Sequence, residues 1–315
     1  MRTWVPVSAG TQVEPRSGAG HHAPGPETLS TMSQPERVRR EILQRSDLVK
    51  PLPEVAVKVL GLLNDPKCDP IELERHLLHE PLLVARLLGL VNSPFYGLSR
   101  PVKTVREAIM VMGFRGLRSL VLTSSAAKIM DRDFRWYGHD HKGLWKHAVC
   151  VAAAARTLAR IAHADGETRE EAFVAGLLHD IGKMMLASYL TQPRRNPAVA
   201  PQETCEEEAA LIGLDHTEAG ALVAAKWGLS EAIQETLKAH HGGTPPRPFE
   251  RLVAMVRLAD AQAHHRGIGY LAGCAPLVVF DPEDVARLGI VEADWPGVRA
   301  ELDESMRAGL ESFTE

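Results

Sequence analysis

Cysteine is scarce in this 315-residue chain, and none of its four cysteines belongs to a CxxC pair. They are Cys68, Cys150, Cys205 and Cys274. Such wide spacing excludes a dense disulfide framework and predicts reduced thiols. No run of eighteen apolar residues occurs, and no apolar stretch follows Arg2, which argues against a membrane-spanning helix and a secretory signal. We therefore expect a soluble, cytoplasmic protein without a membrane partner.

An excess of positive charge is missing as well, because 36 Lys and Arg face 40 Asp and Glu, for a net charge of −4. The chain therefore lacks a strong basic field that would hold nucleic acid without sequence preference. A local basic patch would have to use the cationic side chains near the NSPFYG turn, which are Arg100, Lys103, Arg106, Arg115 and Arg118. No groove-reading motif accompanies them, so we do not expect nucleic acid as a partner.

Signatures of several enzyme classes are absent. The sequence has no GxxxxGK[ST] phosphate loop, no GxSxG nucleophile turn and no HExxH zinc motif. Residues 267–273 are spaced GxGxxxG, which is one residue too long for the dinucleotide fingerprint. Alternating strand patterns are missing too, and the VVF run at 278–280 is too short for a sheet. We therefore expect an all-α protein and exclude Rossmann and TIM-barrel folds.

Composition divides the chain into three parts. Residues 1–31 are rich in Pro, Gly, Ser and Thr without an apolar period, so we expect a disordered tail. Residues 32–130 are predicted to form an N-terminal helical lobe. A looser stretch with Trp136 and Tyr137 then leads into a second helical lobe with C-terminal helices, residues 131–315.

Proline and glycine signals place individual helices. Pro70 and Pro81 are expected at the first turn of two helices, and a break is expected near Gly113. Apolar residues at helical spacing predict further helices in the second lobe. These cover residues near 143–163, 169–190, 203–212, 216–227, 230–241, 248–264 and 293–310.

The second lobe also carries histidines and carboxylates on otherwise apolar helix faces. They are His147, His179, Asp180, His216, His240, His241 and Asp260. Each alone could be a hydrogen-bonded core residue, and Asp260 could pair with Arg257. Together they would be costly to bury unless they met one another or a cation. Imidazole nitrogens with carboxylate oxygens suit Fe, Mn, Zn or Ni rather than calcium, so the sequence predicts a possible divalent-metal site.

The order His…His-Asp…His…His-His…Asp resembles that of the HD superfamily of metal-dependent phosphohydrolases, and the surrounding sequence resembles the HDOD branch of that superfamily. The resemblance covers residues 45–265. Its pieces are LPEVAVKVLGLLNDP (52–66), HEPLLVARLLGLVNSPFYG (79–97), TVREAIMVMGFRGLRSLVL (104–122), LWKH (144–147), FVAGLLHDIGKMML (173–186), LDHTEAGALVAAKWGL (214–229) and HH (240–241). It implies an HD-like helical bundle in the C-terminal half.

The chain departs from the related HD-GYP phosphodiesterases, which cleave cyclic di-GMP. Those enzymes carry a Glu and a GYP element after the double histidine, whereas this sequence continues HHGGTPPRP. Gly143 stands where some relatives place an additional carboxylate ligand. The resemblance therefore does not predict hydrolysis of cyclic di-GMP.

Two functions follow from the resemblance and stay open. The first is a bacterial-type signal-transduction output domain that binds a signalling protein partner or a nucleotide second messenger, with or without a bound metal. The second is a metal-dependent phosphohydrolase, in which Asp180 bridges two cations and Lys183 steadies a phosphate oxygen. In that reading His147, His179, Asp180 and Asp260 hold the first cation, and His216, His240 and His241 complete the second site.

Two tryptophans on the ligand-bearing helices are predicted to anchor the second lobe by burial. They are Trp145 and Trp227, and each lies next to small or apolar helix residues. A buried tryptophan removes about 150–250 Å² of surface from water, so both should contribute strongly to stability.

Overall fold

The computed structural model describes residues 32–44, 54–63, 65, 67–131, 133–192, 194, 196 and 198–313. The tail predicted for residues 1–31 lies outside them. The helices are α1 (Gln34–Gln44), α2 (Glu54–Leu63), α3 (Pro70–Leu78), α4 (Pro81–Val91), α5 (Val105–Ile129), α6 (Gly143–Ile161), α7 (Gly166–Leu178), α8 (Lys183–Leu186), α9 (Pro201–Ile212), α10 (His216–Lys226), α11 (Glu231–Ala239), α12 (Glu250–His265), α13 (Pro282–Arg287) and α14 (Trp295–Phe313).

The all-α prediction is confirmed. Within the described ranges the backbone forms no strand, and one isolated antiparallel bridge joins His139 to Tyr270. None of the helices in these ranges is long and apolar enough to cross a membrane.

Local signals in the sequence explain where the N-terminal helices begin and bend. Asp69 caps α3 by accepting a hydrogen bond from the Ile71 amide, and a proline occupies the first position of α3 and of α4. Thr104 caps α5 in the same way, through the amide of Glu107. Gly113 adopts a φ of 66° inside α5, a conformation that glycine reaches without steric cost. The break predicted near Gly113 is therefore a kink within one long helix.

Helix α6 is the central element of the fold. It packs against α7, α12 and α14, and most of its residues are buried. The side chains of its alanine-rich run at 148–155 are small, so the backbones of neighbouring helices approach closely. A Cβ atom at Gly176 of α7 would lie 2.9 Å from Cα of Ala152, which explains the glycine there. This packing holds α6, and the His147 that it carries, rigidly against its neighbours.

The prediction of one continuous helix over residues 169–190 is wrong in the middle of that range. Helix α7 ends at Leu178, and α8 begins only at Lys183. Between them the Ile181 amide donates to the carbonyl of Leu178 and the Lys183 amide to that of Asp180, which is a tight turn. Apolar residues keep their helical spacing through this turn, because the turn is buried together with the two helices that flank it. The spacing alone therefore does not show that the helix is interrupted.

Residues Gln34–Glu315 form one compact unit. In it α5 packs on α7 and α1 on α9, so helices of the predicted N-terminal lobe contact those of the second. The lobe boundary at residues 130 and 131 stays a prediction. Helix α13 was missed, although Asp281 followed by Pro282 is a helix-start signal.

Candidate metal centre

The predicted ligands come from five places in the chain and converge in the interior of the protein. Helix α6 brings one, the turn after α7 two, the start of α10 one, the end of α11 two, and α12 one. They are His147, His179, Asp180, His216, His240, His241 and Asp260. The structure therefore brings together all seven side chains that the sequence predicted, while their role as ligands stays a prediction.

Asp180 lies between two groups of histidines. Its Oδ1 atom is 3.3 Å from Nε2 of His216 and 3.8 Å from Nε2 of His240. Its Oδ2 atom is 3.3 Å from Nε2 of His179 and 4.0 Å from Nε2 of His147. Each carboxylate oxygen thus faces a different pair of imidazoles. One set of donors within 4.8 Å of one another contains Asp180 with His216, His240 and His241, and another contains it with His147 and His179.

Asp260 lies on the other side of the first pair. Its Oδ1 atom is 2.9 Å from Nε2 of His147 and 3.6 Å from Nε2 of His179, and its Oδ2 atom is 3.7 Å from Nδ1 of His241. His264 also reaches Asp260, with 3.0 Å between Nε2 and Oδ1. We did not predict His264, although its spacing of four residues from Asp260 on α12 places both on one helix face.

The orientation of three imidazoles is fixed through their Nδ1 atoms. His179 Nδ1 donates to the carbonyl of Gly176 at 2.7 Å, and His240 Nδ1 donates to that of Leu237 at 2.6 Å. His216 Nδ1 lies 2.7 Å from a carboxylate oxygen of Glu208. These contacts direct each Nε2 atom into the centre, which is the usual arrangement of metal-binding histidines.

The inward-facing atoms fit a cation. Nε2 of His179, His216 and His240 and Oδ1 of Asp180 are buried and have no hydrogen-bond partner among the described residues. A buried polar atom without a partner costs about 1–3 kcal/mol. Several such atoms that face one another can be satisfied together by a divalent ion, once the histidine Nε2 atoms carry no proton.

The protonation states of His147, His240 and Asp180 suit metal binding. Burial lowers the pKa of His147 and of His240 to about 4. Burial acts in the same direction on His179, but the charge of the nearby Asp180 carboxylate outweighs it and raises the His179 pKa to about 9. Burial opposes ionisation of Asp180, yet Lys183 and His179 hold the pKa of that carboxyl well below its usual range. Burial also opposes a charge on His216, but Glu208 raises its pKa well above the usual range. A cation binds ionised carboxylates and neutral imidazoles, so His179 and His216 would each release a proton when the metal binds.

Lys183 is buried with the ligands rather than solvated. Its Nζ atom lies 2.6 Å from Oδ2 of Asp180 and 5.1 Å from the centre of the Tyr137 ring. The ammonium therefore neutralises part of the charge of Asp180. The catalytic roles suggested for Asp180 and Lys183 stay predictions.

The basic side chains near the NSPFYG turn do not form one free patch. Arg106 pairs with Glu74, and Arg115 pairs with Glu167. Arg118 is half-buried, and burial lowers its pKa. These pairs weaken the electrostatic case for a nucleic-acid surface.

Gly182 lets the turn that bears His179 and Asp180 contact α10. A Cβ atom at Gly182 would lie 2.0 Å from the carbonyl oxygen of His216 and 2.6 Å from the amide nitrogen of Gly220. Both are backbone atoms, so a side chain cannot be accommodated by a rotamer change.

We expect Gly182→Ala to lower the free energy of unfolding by about 1–3 kcal/mol or more, because it overpacks this contact. Urea unfolding monitored by circular dichroism measures the change. Gly166→Ala is the matched control, since nothing lies within 4 Å of a Cβ there. Identical unfolding curves for the two variants would contradict the close contact.

Comparison with known proteins identifies the family. The family model of the HDOD domain matches residues 49–242. An uncharacterized protein of Treponema pallidum (strain Nichols) is 24% identical over 243 residues, which cover 75% of this chain and 46% of that protein. The chain therefore spans about half the length of this curated relative.

Solved structures share the fold. An HDOD domain protein of unknown function from Geobacter sulfurreducens is 26% identical, with a TM-score of 0.65 over 89% of this chain and 98% of that one. A candidate signal transduction protein from Marinobacter aquaeolei VT8 is 19% identical, with a TM-score of 0.62 over 88% of this chain and 64% of that one. A candidate phosphohydrolase from Shewanella amazonensis SB2B is 24% identical, with a TM-score of 0.60 over 85% and 96% of the two chains. Because the HDOD model covers more than half of the chain, this protein belongs to the HDOD domain family.

Proposed function

We propose that this HDOD protein is a signal-transduction output module that acts by binding a protein or a nucleotide, and that its centre holds divalent cations without rapid turnover. The observation that carries this proposal is the closure of the centre. The side chains of His147, His179 and His216 have no exposed surface, and that of His241, which lies at the edge, is 6% exposed.

On the side of Lys183 and His216, the free space next to the ligands is too small for a substrate. The space bordered by Lys183, His216, His241 and Tyr270 measures about 10 Å³, which is room for one water molecule. Pockets that enclose a small-molecule ligand measure roughly 300–1,000 Å³. A phosphate ester could therefore reach the ligands there only after the surrounding elements moved apart.

A larger cavity lies beside the centre and could receive a ligand that does not displace the metal ligands. It measures about 500 Å³, and His240, His241 and Asp260 border it on one side. Arg257 and Asp284 border it as well. This cavity supports binding of a small molecule next to the centre.

The donor sets suggest which residues would hold the cations. Asp180, His216, His240 and His241 would hold one, and His147, His179 and Asp260 would hold the other together with Asp180. This mixture of imidazole and carboxylate suits Fe, Mn, Zn or Ni. Bound there, the cations would link α6, α10 and α12 to the turn after α7 and so rigidify the module.

A metal-dependent phosphohydrolase is the second candidate, and the bridging position of Asp180 favours it. A carboxylate between two cations is a common feature of two-metal sites, in which bound cations lower the pKa of a water molecule. Lys183 would then hold a phosphate oxygen. The assignment requires that a substrate reach Asp180 and Lys183. The space beside Lys183 measures only about 10 Å³, so the substrate would have to enter from the cavity of about 500 Å³ beside His240, His241 and Asp260.

Metal analysis and a phosphodiesterase assay separate the two candidates. We expect purified protein to retain divalent metal and to hydrolyse bis(p-nitrophenyl) phosphate no faster than its Asp180→Asn variant, with Mn, Fe, Ni or Zn added. Elemental analysis measures the first quantity and nitrophenol release the second. Metal-dependent hydrolysis that is lost in the variant would instead establish the phosphohydrolase. If the protein held no metal and showed no hydrolysis, only the part of the proposal that concerns binding of a protein or a nucleotide would remain.

A further inference from the structure

Glu208 lies behind His216, outside the seven predicted ligands. It is carried by α9 and is fully buried. Its Oε2 atom is 2.7 Å from Nδ1 of His216 and accepts a second hydrogen bond, at 2.9 Å, from the His216 backbone amide. One carboxylate oxygen thus fixes both the ring and the backbone of the residue that begins α10.

This contact distinguishes His216 from two other imidazoles of the centre. His179 and His240 direct Nδ1 to neutral carbonyls of their own helices, whereas His216 directs it to a buried carboxylate. A carboxylate behind a histidine fixes the tautomer and makes the opposite nitrogen a stronger donor to a metal. That nitrogen, His216 Nε2, lies 3.3 Å from Oδ1 of Asp180.

The two sides of Asp180 therefore differ in charge. On the His216 side, Glu208 adds a negative charge behind the ligands, and the nearby Arg194 is paired with Glu207. On the His147 and His179 side, Asp260 also supplies a carboxylate. The Lys183 ammonium offsets this charge, because it lies 2.6 Å from the Oδ2 atom of Asp180 that a cation would need. A cation on that side would meet a like charge at short range.

We propose that Glu208 is a positioning residue that makes the His216 side the tighter of two unequal cation sites, so that this side fills first. The Lys183 ammonium weakens the opposite site. This inference rests on the cation-binding centre of the proposed function. Beyond the proposed function, it states which of the two cation sites fills first and names Glu208 as the residue that determines this order.

Titration of the metal-free full-length protein with Mn²⁺, followed by the electron paramagnetic resonance signal of unbound Mn²⁺, tests the proposal. The unaltered protein should bind Mn²⁺ in a tighter and a weaker class. Glu208→Gln, which keeps the shape and removes the charge, should weaken the tighter class about 10- to 100-fold and leave the weaker class unchanged. Glu208→Asp should retain part of the tighter class. Glu206→Gln is the matched control, since it is exposed on the same helix and should alter neither class.

Lys183→Met tests the opposite side independently, and it remains informative if Glu208→Gln does not fold. It should tighten the weaker class and leave the tighter one unchanged. Equal weakening of both classes by Glu208→Gln would show a general packing role and overturn the proposal, and so would a change confined to the weaker class. Two equal classes in the unaltered protein would overturn it as well. Absence of any Mn²⁺ binding in the unaltered protein would instead refute the cation centre itself.

Discussion

Replacement of Asp180 by asparagine is expected to abolish divalent-cation binding by the whole centre. Its two oxygens face different histidines, at 3.3 Å from His216 Nε2 on one side and 3.3 Å from His179 Nε2 on the other. Loss of one carboxylate therefore removes an anionic ligand from both candidate sites. Elemental analysis of the purified variant and Mn²⁺ titration should find no bound metal where the unaltered protein retains it.

The same substitution should also destabilise the metal-free protein. Lys183 is buried, and its Nζ atom lies 2.6 Å from Oδ2 of Asp180. Removal of one partner from a buried ion pair typically costs about 3–5 kcal/mol, because the other charge is left uncompensated. Urea unfolding without added metal measures this cost separately from metal binding.

Asp303→Asn provides the control for metal content. Asp303 is a carboxylate that pairs with Arg266 and accepts a hydrogen bond from Gln262, away from the seven ligands. We expect it to leave metal content unchanged. Full retention of metal by Asp180→Asn would contradict the bridging position of this carboxylate.

The ligands could be predicted from the sequence because they interrupt apolar helix faces. His147 in an alanine-rich helix and the His179–Asp180 pair in an apolar run are expensive to bury singly, so their convergence was a physical expectation before the structure. The family resemblance supplied the same residues in the same order. The starts of the helices at Pro70 and Pro81 could also be predicted, because proline is favoured in the first turn of a helix.

The rest of the centre depends on tertiary packing, which local patterns do not encode. Glu208 is three residues from Cys205 and four from Ile212, a spacing that places it on the buried face of α9. That spacing separates it from the exposed glutamates of the helix but does not show its contact with His216. The turn between α7 and α8 is imposed by the approach of Gly182 to the backbone of α10. The sequence also did not show that Lys183 is buried and contacts Asp180.

The tryptophan prediction is confirmed for Trp145 and only in part for Trp227. Trp145 is 5% exposed, and its Nε1 donates to the carbonyl of Phe313 at 3.0 Å, which joins α6 to the last residue of α14. Trp227 follows α10 and is only partly buried, and its Nε1 has no hydrogen-bond partner among the residues that the structure describes. The helical pattern placed both on apolar faces but did not show which one a second helix would cover.

Trp145→Ala is therefore expected to lower the free energy of unfolding by about 3–5 kcal/mol, because it opens a cavity between α6 and α14. Trp227→Ala, the matched comparison, should cost about 1–2 kcal/mol, since that ring is partly solvated. Urea unfolding of metal-free protein measures both. The hydrogen bond to Phe313 contributes to the difference, and Trp145→Phe should recover the packing but not that bond. A loss below about 1 kcal/mol for Trp145→Ala would mean that α14 does not depend on this contact, and equal losses for the two alanine variants would mean that burial does not set their contributions.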